Sequence, residues 1–69
     1  MADLLSGHLP PVPLSDQIAC VEREIAMRRR VYPNWVASGR LRQAAADEEL
    51  RRMEAVRDTL IALRKTMPA

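Results

Sequence analysis

Two helix-length apolar repeats joined by a short segment constrain the fold of this chain more than any other feature. Between residues 14 and 36, and again between residues 46 and 67, apolar side chains recur at three- and four-residue steps. This is the spacing of one face of an α-helix. The short connection makes the two helices antiparallel neighbours. No run of alternating residues indicates a strand. The sequence therefore predicts an all-α fold, an antiparallel hairpin of two long helices.

The two predicted apolar stripes define the sides on which the helices pack. The first consists of Leu14, Ile18, Val21, Ile25, Tyr32 and Val36, and the second of Ala46, Leu50, Met53, Val56, Leu60, Leu63 and Met67. Arg28 lies at the edge of the first stripe, where its methylene stem can pack while the guanidinium reaches water.

The limits of the first helix are expected at Ser15 and near Pro33. Ser15 is a favourable N-cap, because its hydroxyl can accept hydrogen bonds from free backbone N–H groups of the first turn. Pro33 has no N–H, and its ring clashes with the carbonyl four residues earlier. The helix is therefore expected to bend at Pro33, or to end near Val31 and restart. Gly39 can adopt the left-handed conformation that closes a helix.

The second helix is predicted to begin at Gln43 and to stop before Pro68. Residues 44–46 are alanines with high helix propensity, and the acidic residues 47–49 favour the N-terminal half of the helix. Arg42 is a poor N-cap. Three ion pairs between residues four apart are expected on the helix surfaces: Glu24–Arg28, Asp47–Arg51 and Glu48–Arg52.

Size and composition indicate that one hairpin needs a partner. A domain of 69 residues is marginally stable alone and usually depends on disulfides, a metal or oligomerisation. Cys20 is the only cysteine and His8 the only histidine, so an internal disulfide is impossible and no metal site is expected. Cys20, Met27 and Val31 form a second apolar stripe, about 130° around the first helix from the main one. We expect this candidate interface to dimerise two hairpins into a four-helix bundle.

The first thirteen residues differ in character from the rest. They contain Pro10, Pro11 and Pro13, which disfavour a helix, so residues 1–13 are predicted to be a disordered arm and residues 14–69 the helical hairpin domain. The start of the chain lacks the basic and apolar regions of a secretory signal, and no apolar run is long enough to cross a membrane. With a single cysteine, the prediction is a cytoplasmic protein.

Enzymatic function is not expected. No Ser-His-Asp or Cys-His set can be assembled around the one histidine, and no glycine-rich phosphate loop is present. Residues 47–49 are adjacent acids that point about 100° apart on a helix, so they are expected to form ion pairs rather than a catalytic pair. Cys20 is expected to act as a small hydrophobic residue rather than a nucleophile. We predict no cofactor.

The hairpin corner is the candidate site for a partner. It contains five arginines and both aromatic residues of the chain: Arg28, Arg29, Arg30, Arg40, Arg42, Tyr32 and Trp35. These residues can simply form the bend, with the two aromatics filling the corner. They can also contact a larger protein, because aromatics and arginine dominate binding hot spots. The alternative is nucleic acid, with arginines on phosphates and aromatics stacked on bases.

Residues 22–60 resemble a group of short, uncharacterised bacterial and prophage-associated proteins with a VYPxWVxxGR segment. The resemblance is carried by Tyr32, Pro33, Trp35, Val36, Gly39 and Arg40, then by Glu49, Met53, Ala55, Val56 and Leu60. Such proteins usually have a small hydroxyl residue where this chain has Arg42. The resemblance implies a phage or bacterial cytoplasmic setting and a small accessory role, and it brings no activity and no known site. The predicted function is a non-enzymatic accessory protein acting through self-association and protein contact.

Overall fold

The structure is a computed structural model that describes residues 11–67. It contains two α-helices, α1 (Leu14–Ala37) and α2 (Gln43–Thr66), which pack against each other. The described part has no strand. The predicted all-α hairpin is therefore confirmed, and α2 begins at the predicted residue. Most of the predicted N-terminal arm lies outside the described residues.

Helix α1 begins one residue before Ser15, so the predicted N-cap is wrong. Pro13 occupies the cap position, with φ −58° and ψ 147°. Its carbonyl accepts hydrogen bonds from the backbone N–H groups of Asp16 at 3.0 Å and Gln17 at 3.1 Å. A proline can precede a helix in this way, because its ring fixes φ in an allowed range while its carbonyl stays free to accept. The Gln17 side chain also donates to the carbonyl of Val12 at 3.0 Å.

Helix α1 continues through Pro33 to Ala37, so the alternative in which it ends near Val31 is wrong. Pro33 is exposed and lies only one turn before the end of the helix. It deprives the carbonyl of Arg29 of its usual i+4 donor. The Arg29 carbonyl therefore lacks that bond about two turns before the helix ends at Ala37.

The connection of residues 38–42 begins with a Schellman motif. Gly39 has a φ of +78°, as predicted for a residue that closes a helix. Its N–H donates to the carbonyl of Val36 at 3.1 Å, and the N–H of Arg40 donates to the carbonyl of Trp35 at 2.8 Å. These two bonds satisfy carbonyls that the end of a helix otherwise leaves free. The chain therefore reverses over a defined, short path.

Replacing Gly39 with alanine is expected to lower the free energy of unfolding by about 1–2 kcal/mol, because an L-residue at positive φ is strained. The added methyl would meet no atom within 4 Å, so the loss would come from the backbone alone. Urea denaturation followed by circular dichroism measures it. Gly39→Asn is the control, since asparagine tolerates the left-handed conformation and should lose less. Equal stability of the wild type and Gly39→Ala would contradict this account of the turn.

The core lies along one line of contact between the helices. The buried side chains of the described part are Ile18, Ile25 and Tyr32 from α1 and Ala46 from α2. The seven-residue spacing on α1 keeps the three on one side of the helix. Leu14, Val21 and Val36 flank them and are half-buried, so the predicted stripe of α1 is confirmed. Within residues 11–67, neither helix is long and apolar enough to cross a membrane.

Candidate interaction surfaces

The two aromatic residues of the corner have different environments. Tyr32 is 8% exposed and belongs to the core, whereas Trp35 is 39% exposed. Their ring centroids are 5.6 Å apart with an angle of 36° between the planes. The expectation that both fill the corner is right for Tyr32 only. Trp35 packs on the core through Tyr32 and presents the rest of its indole to the surface.

Two of the five candidate arginines are engaged by carboxylates. Arg28 donates from Nη1 to Glu24 Oε2 at 2.7 Å, which confirms the predicted pair. Burial opposes the charge of Arg28, but interactions with Tyr32 and Glu24 outweigh it and raise the pKa of Arg28 above its ordinary value. Arg29 pairs across the hairpin with Glu54. Both guanidiniums therefore have an internal partner.

The remaining candidates are Arg30, Arg40 and Arg42, which are exposed and form no ion pair with another described residue. Arg30 lies on the outer side of α1, because consecutive helical residues point about 100° apart. Arg40 and Arg42 lie in the connection that follows α1. Of the five arginines of the predicted site, two are therefore paired within the hairpin and three face solvent.

We call Trp35, Arg40 and Arg42 together the turn surface, because all three lie in or within one turn of the connection and are exposed. The Trp35 carbonyl accepts from the N–H of Arg40 at 2.8 Å and from the N–H of Leu41 at 3.2 Å, and the Ser38 hydroxyl donates to it at 3.2 Å. Arg42 is the N-cap residue of α2 and makes no side-chain capping bond, as predicted. The backbone that carries the turn surface is therefore held by several bonds to one carbonyl.

The acidic residues at the start of α2 are engaged separately. Glu48 accepts from Arg51 at 2.9 Å and 3.0 Å and from Arg52 at 3.1 Å. Hydrogen bonding to Arg51 is the largest of the effects that lower the pKa of Glu48. Asp47 accepts instead from the Gln43 side chain at 2.9 Å. The predicted Glu48–Arg52 pair is confirmed, and Asp47–Arg51 is wrong because Glu48 binds Arg51 through both carboxylate oxygens.

Part of the stripe predicted for α2 does not reach α1. Val56, Leu63 and Met67 are 47%, 49% and 55% exposed. The predicted stripe covers an arc of about 140° at 100° per residue, which is wider than one neighbouring helix can cover. Ile61, which the stripe omitted, is half-buried. The sequence therefore wrongly predicted that Val56, Leu63 and Met67 pack against α1, whereas the structure leaves them about half exposed.

The second stripe of α1 is only partly covered. Cys20 is exposed, so within one hairpin it is not the buried hydrophobic residue expected from the sequence. Met27 and Val31 are half-buried, although they point away from α2.

The apolar residues of both helices that the helix contact leaves exposed or only half-buried lie on one side of the hairpin. Viewed from its N-terminus, a right-handed helix advances clockwise by about 100° per residue. Each helix is viewed from its own N-terminus, and the buried residues Ile25 and Ala46 mark the side that faces the other helix. Val31 then lies counter-clockwise from Ile25, and Leu63 lies counter-clockwise from Ala46. Because the two helices run in opposite directions, counter-clockwise on both corresponds to the same side of the hairpin. We call it the apolar face, and it contains Cys20, Met27, Val31, Val56, Leu63 and Met67. Trp35 lies on the same side at the turn end, where it belongs to the turn surface.

The opposite side of the hairpin is polar, and its contacts support this geometry. Arg29 and Glu54 both lie clockwise from the contact line by the same rule, and they do form an ion pair. Near the turn this side has a shallow cavity of about 170 Å³. Among its lining residues are Pro33, Gln43 and Asp47. The hairpin thus has one charged side and one side rich in exposed apolar residues.

Comparisons with known protein families, with curated proteins and with solved structures gave no match. Within residues 11–67, no group of three histidine, cysteine or acidic side chains is placed to hold a metal ion.

Proposed function

We propose that this chain is a small non-enzymatic accessory protein that works as a dimer of hairpins and contacts a larger protein at its turn. The apolar face carries the first part of the proposal. It presents three side chains that are about half exposed, Val56, Leu63 and Met67, beside the second stripe of α1. In a dimer, these residues would complete a core that one hairpin cannot bury alone.

The occupant proposed for the apolar face is a second copy of the chain. Each 24-residue helix is about 36 Å long and 10 Å wide, so one face of the hairpin spans about 700 Å². A standard interface buries about 800 Å² per partner. The charges of Glu24 and Arg28, also on this face, neutralise each other at 2.7 Å. Glu49 and Arg52 lie on the α2 part of the same face and pair at 3.7 Å. Two such faces can therefore meet with their charges in pairs.

Further parts of the proposal rest on the sequence. The resemblance around the VYPxWVxxGR segment favours a phage-related role. The single cysteine favours the cytoplasm, where thiols stay reduced. Pro33 favours a bend in α1, which would fit the helix around a shared four-helix core. Nucleic acid is less favoured, because Tyr32 is buried and two of the five arginines are engaged by carboxylates.

Leu63→Glu and Met27→Glu are expected to convert the dimer to a folded monomer. Burying a leucine contributes about 1.5–3 kcal/mol, and a symmetric dimer loses two such contacts, so the dimer Kd should rise at least about a hundredfold. Sedimentation velocity over a range of concentrations measures it. Ala62→Glu and Ala26→Glu are matched controls, because each adds the same charge one residue away, about 100° around its helix and off the apolar face. They should leave the dimer unchanged.

Cys20 gives a second measurement on the unmodified protein. Its thiol is exposed in the single hairpin and would be covered in the dimer, so alkylation by iodoacetamide should slow as the protein concentration rises. A wild type that sediments as a stable monomer at every concentration, with a constant alkylation rate, would show the self-association proposal to be wrong.

A further inference from the structure

We infer that the turn surface binds an acidic segment of a partner protein that carries an aliphatic side chain among its carboxylates. This inference rests on the part of the proposed function in which the turn contacts a larger protein. It adds which kind of side chains that protein presents to the turn. It requires an exposed indole at Trp35, so the proposed dimer interface must leave the turn end of the apolar face uncovered. The argument starts from the charges that remain at the turn once the ion pairs are formed.

The hairpin concentrates uncompensated positive charge at its turn. No acidic residue lies between Glu24 and Asp47 in the sequence. Glu24 is taken by Arg28, and Asp47 is held by the Gln43 side chain at 2.9 Å. Arg40 and Arg42 are exposed and have no carboxylate partner among the described residues. A carboxylate-bearing partner would supply the missing counter-charge.

The field of α2 adds to this charge. Arg42 stands at the N-terminal end of α2, whose first turn contains no acidic residue. The N-terminus of a helix carries a partial positive charge, and here neither an acid nor a capping side chain offsets it. Guanidinium groups bind carboxylates through two parallel hydrogen bonds, so Arg40 and Arg42 are suited to side chains of aspartate or glutamate.

Trp35 supplies the apolar part of the turn surface. Its indole is 39% exposed and packs against the buried Tyr32 at 5.6 Å, which supports the ring from below. The neighbouring backbone is fixed by the bonds that Arg40, Leu41 and Ser38 donate to the Trp35 carbonyl. A surface that is already ordered loses little entropy on binding. It fits an aliphatic side chain placed between the partner's acids.

A protein segment fits this surface better than a nucleic acid does. Proteins that bind single strands stack successive bases on several aromatic rings, and Trp35 is the one exposed aromatic in the described part. Two free arginines at the turn can contact few phosphates, and the affinity of such proteins depends on how many phosphates they neutralise. An isolated tryptophan flanked by arginines is instead the composition of a protein–protein hot spot.

The test uses the full chain and three fluorescein-labelled probes. The first is a peptide of alternating acidic residues and leucines, the second is the same peptide with each acid replaced by its amide, and the third is a single-stranded oligonucleotide of equal charge. Fluorescence anisotropy at low salt is expected to show binding of the acidic peptide, with tighter affinity than for either of the other probes.

The variants separate a specific surface from general charge. Arg40→Ala with Arg42→Ala, and Trp35→Ala alone, should each raise the Kd of the acidic peptide at least about tenfold. Arg64→Ala with Lys65→Ala removes the same charge from the other end of α2 and should change it little. Equal losses in the two double variants, no binding of the acidic peptide, or tighter binding of the oligonucleotide would each overturn the inference. Sedimentation of the same samples reports self-association separately.

Discussion

The variant Ile25→Ala is expected to lose about 2–5 kcal/mol of unfolding free energy, the range for removing a buried aliphatic side chain. Ile25 is 2% exposed and lies at the centre of the contact line of α1. A chain of 69 residues has a total stability of about 3–10 kcal/mol. The variant should therefore populate unfolded chains at room temperature, which urea denaturation followed by circular dichroism would show as a lowered midpoint.

Ile61→Ala is the matched control for this prediction. It makes the same chemical change and gains the same helix propensity, but Ile61 is only half-buried at the edge of the contact with α1. Its loss should be clearly smaller. If the two variants were equally unstable, the contact line would not run through Ile25. The apolar face would then be assigned wrongly as well, because its position is measured from that line.

Local spacing was sufficient to predict the packing side of α1. Ile18, Ile25 and Tyr32 are seven residues apart, and the main stripe to which they belong has six residues, twice as many as the second stripe of Cys20, Met27 and Val31. Only one rotation of α1 buries its main stripe. The turn was predictable for a similar reason, because a glycine after a helix is the residue best suited to a positive φ.

The packing side of α2 could not be chosen from its sequence. Its apolar residues extend over a wide arc, from Ile61 on one edge to Leu63 on the other, and several rotations bury a similar number of them. Which edge faces α1 depends on the path of the turn and on the small side chain of Ala46, which lies in the contact. The spacing of apolar residues within α2 indicates neither the path of the turn nor which small residue lies in the contact.

The candidate site was predictable in part, for the same physical reason. The Glu24–Arg28 pair follows from four-residue spacing. The pairing of Arg29 with Glu54 joins residues that are distant in sequence and depends on how the helices are rotated. Likewise, the sequence placed both aromatics at the corner, but the position of α2 decides which of them is covered.

The contrast between the two aromatic residues gives the second large effect. Tyr32→Ala is expected to cost about 3–5 kcal/mol, as for other buried aromatic side chains, because Tyr32 is 8% exposed and lies in the contact between the helices. Trp35→Ala should cost about 1 kcal/mol, mainly the loss of its contact with Tyr32. Thermal and urea denaturation of the two variants at equal protein concentration measure the difference.

Tyr32→Phe is the control that separates the ring from the hydroxyl. It keeps the packing of the ring and loses only the interaction of the hydroxyl with Arg28, so its stability should stay within about 1 kcal/mol of the wild type. Similar losses for Tyr32→Ala and Trp35→Ala would contradict the division of the corner into a core residue and a surface residue. A Trp35→Ala variant that folds normally leaves Trp35 free to serve contact with a partner, because the hairpin does not need its indole for stability.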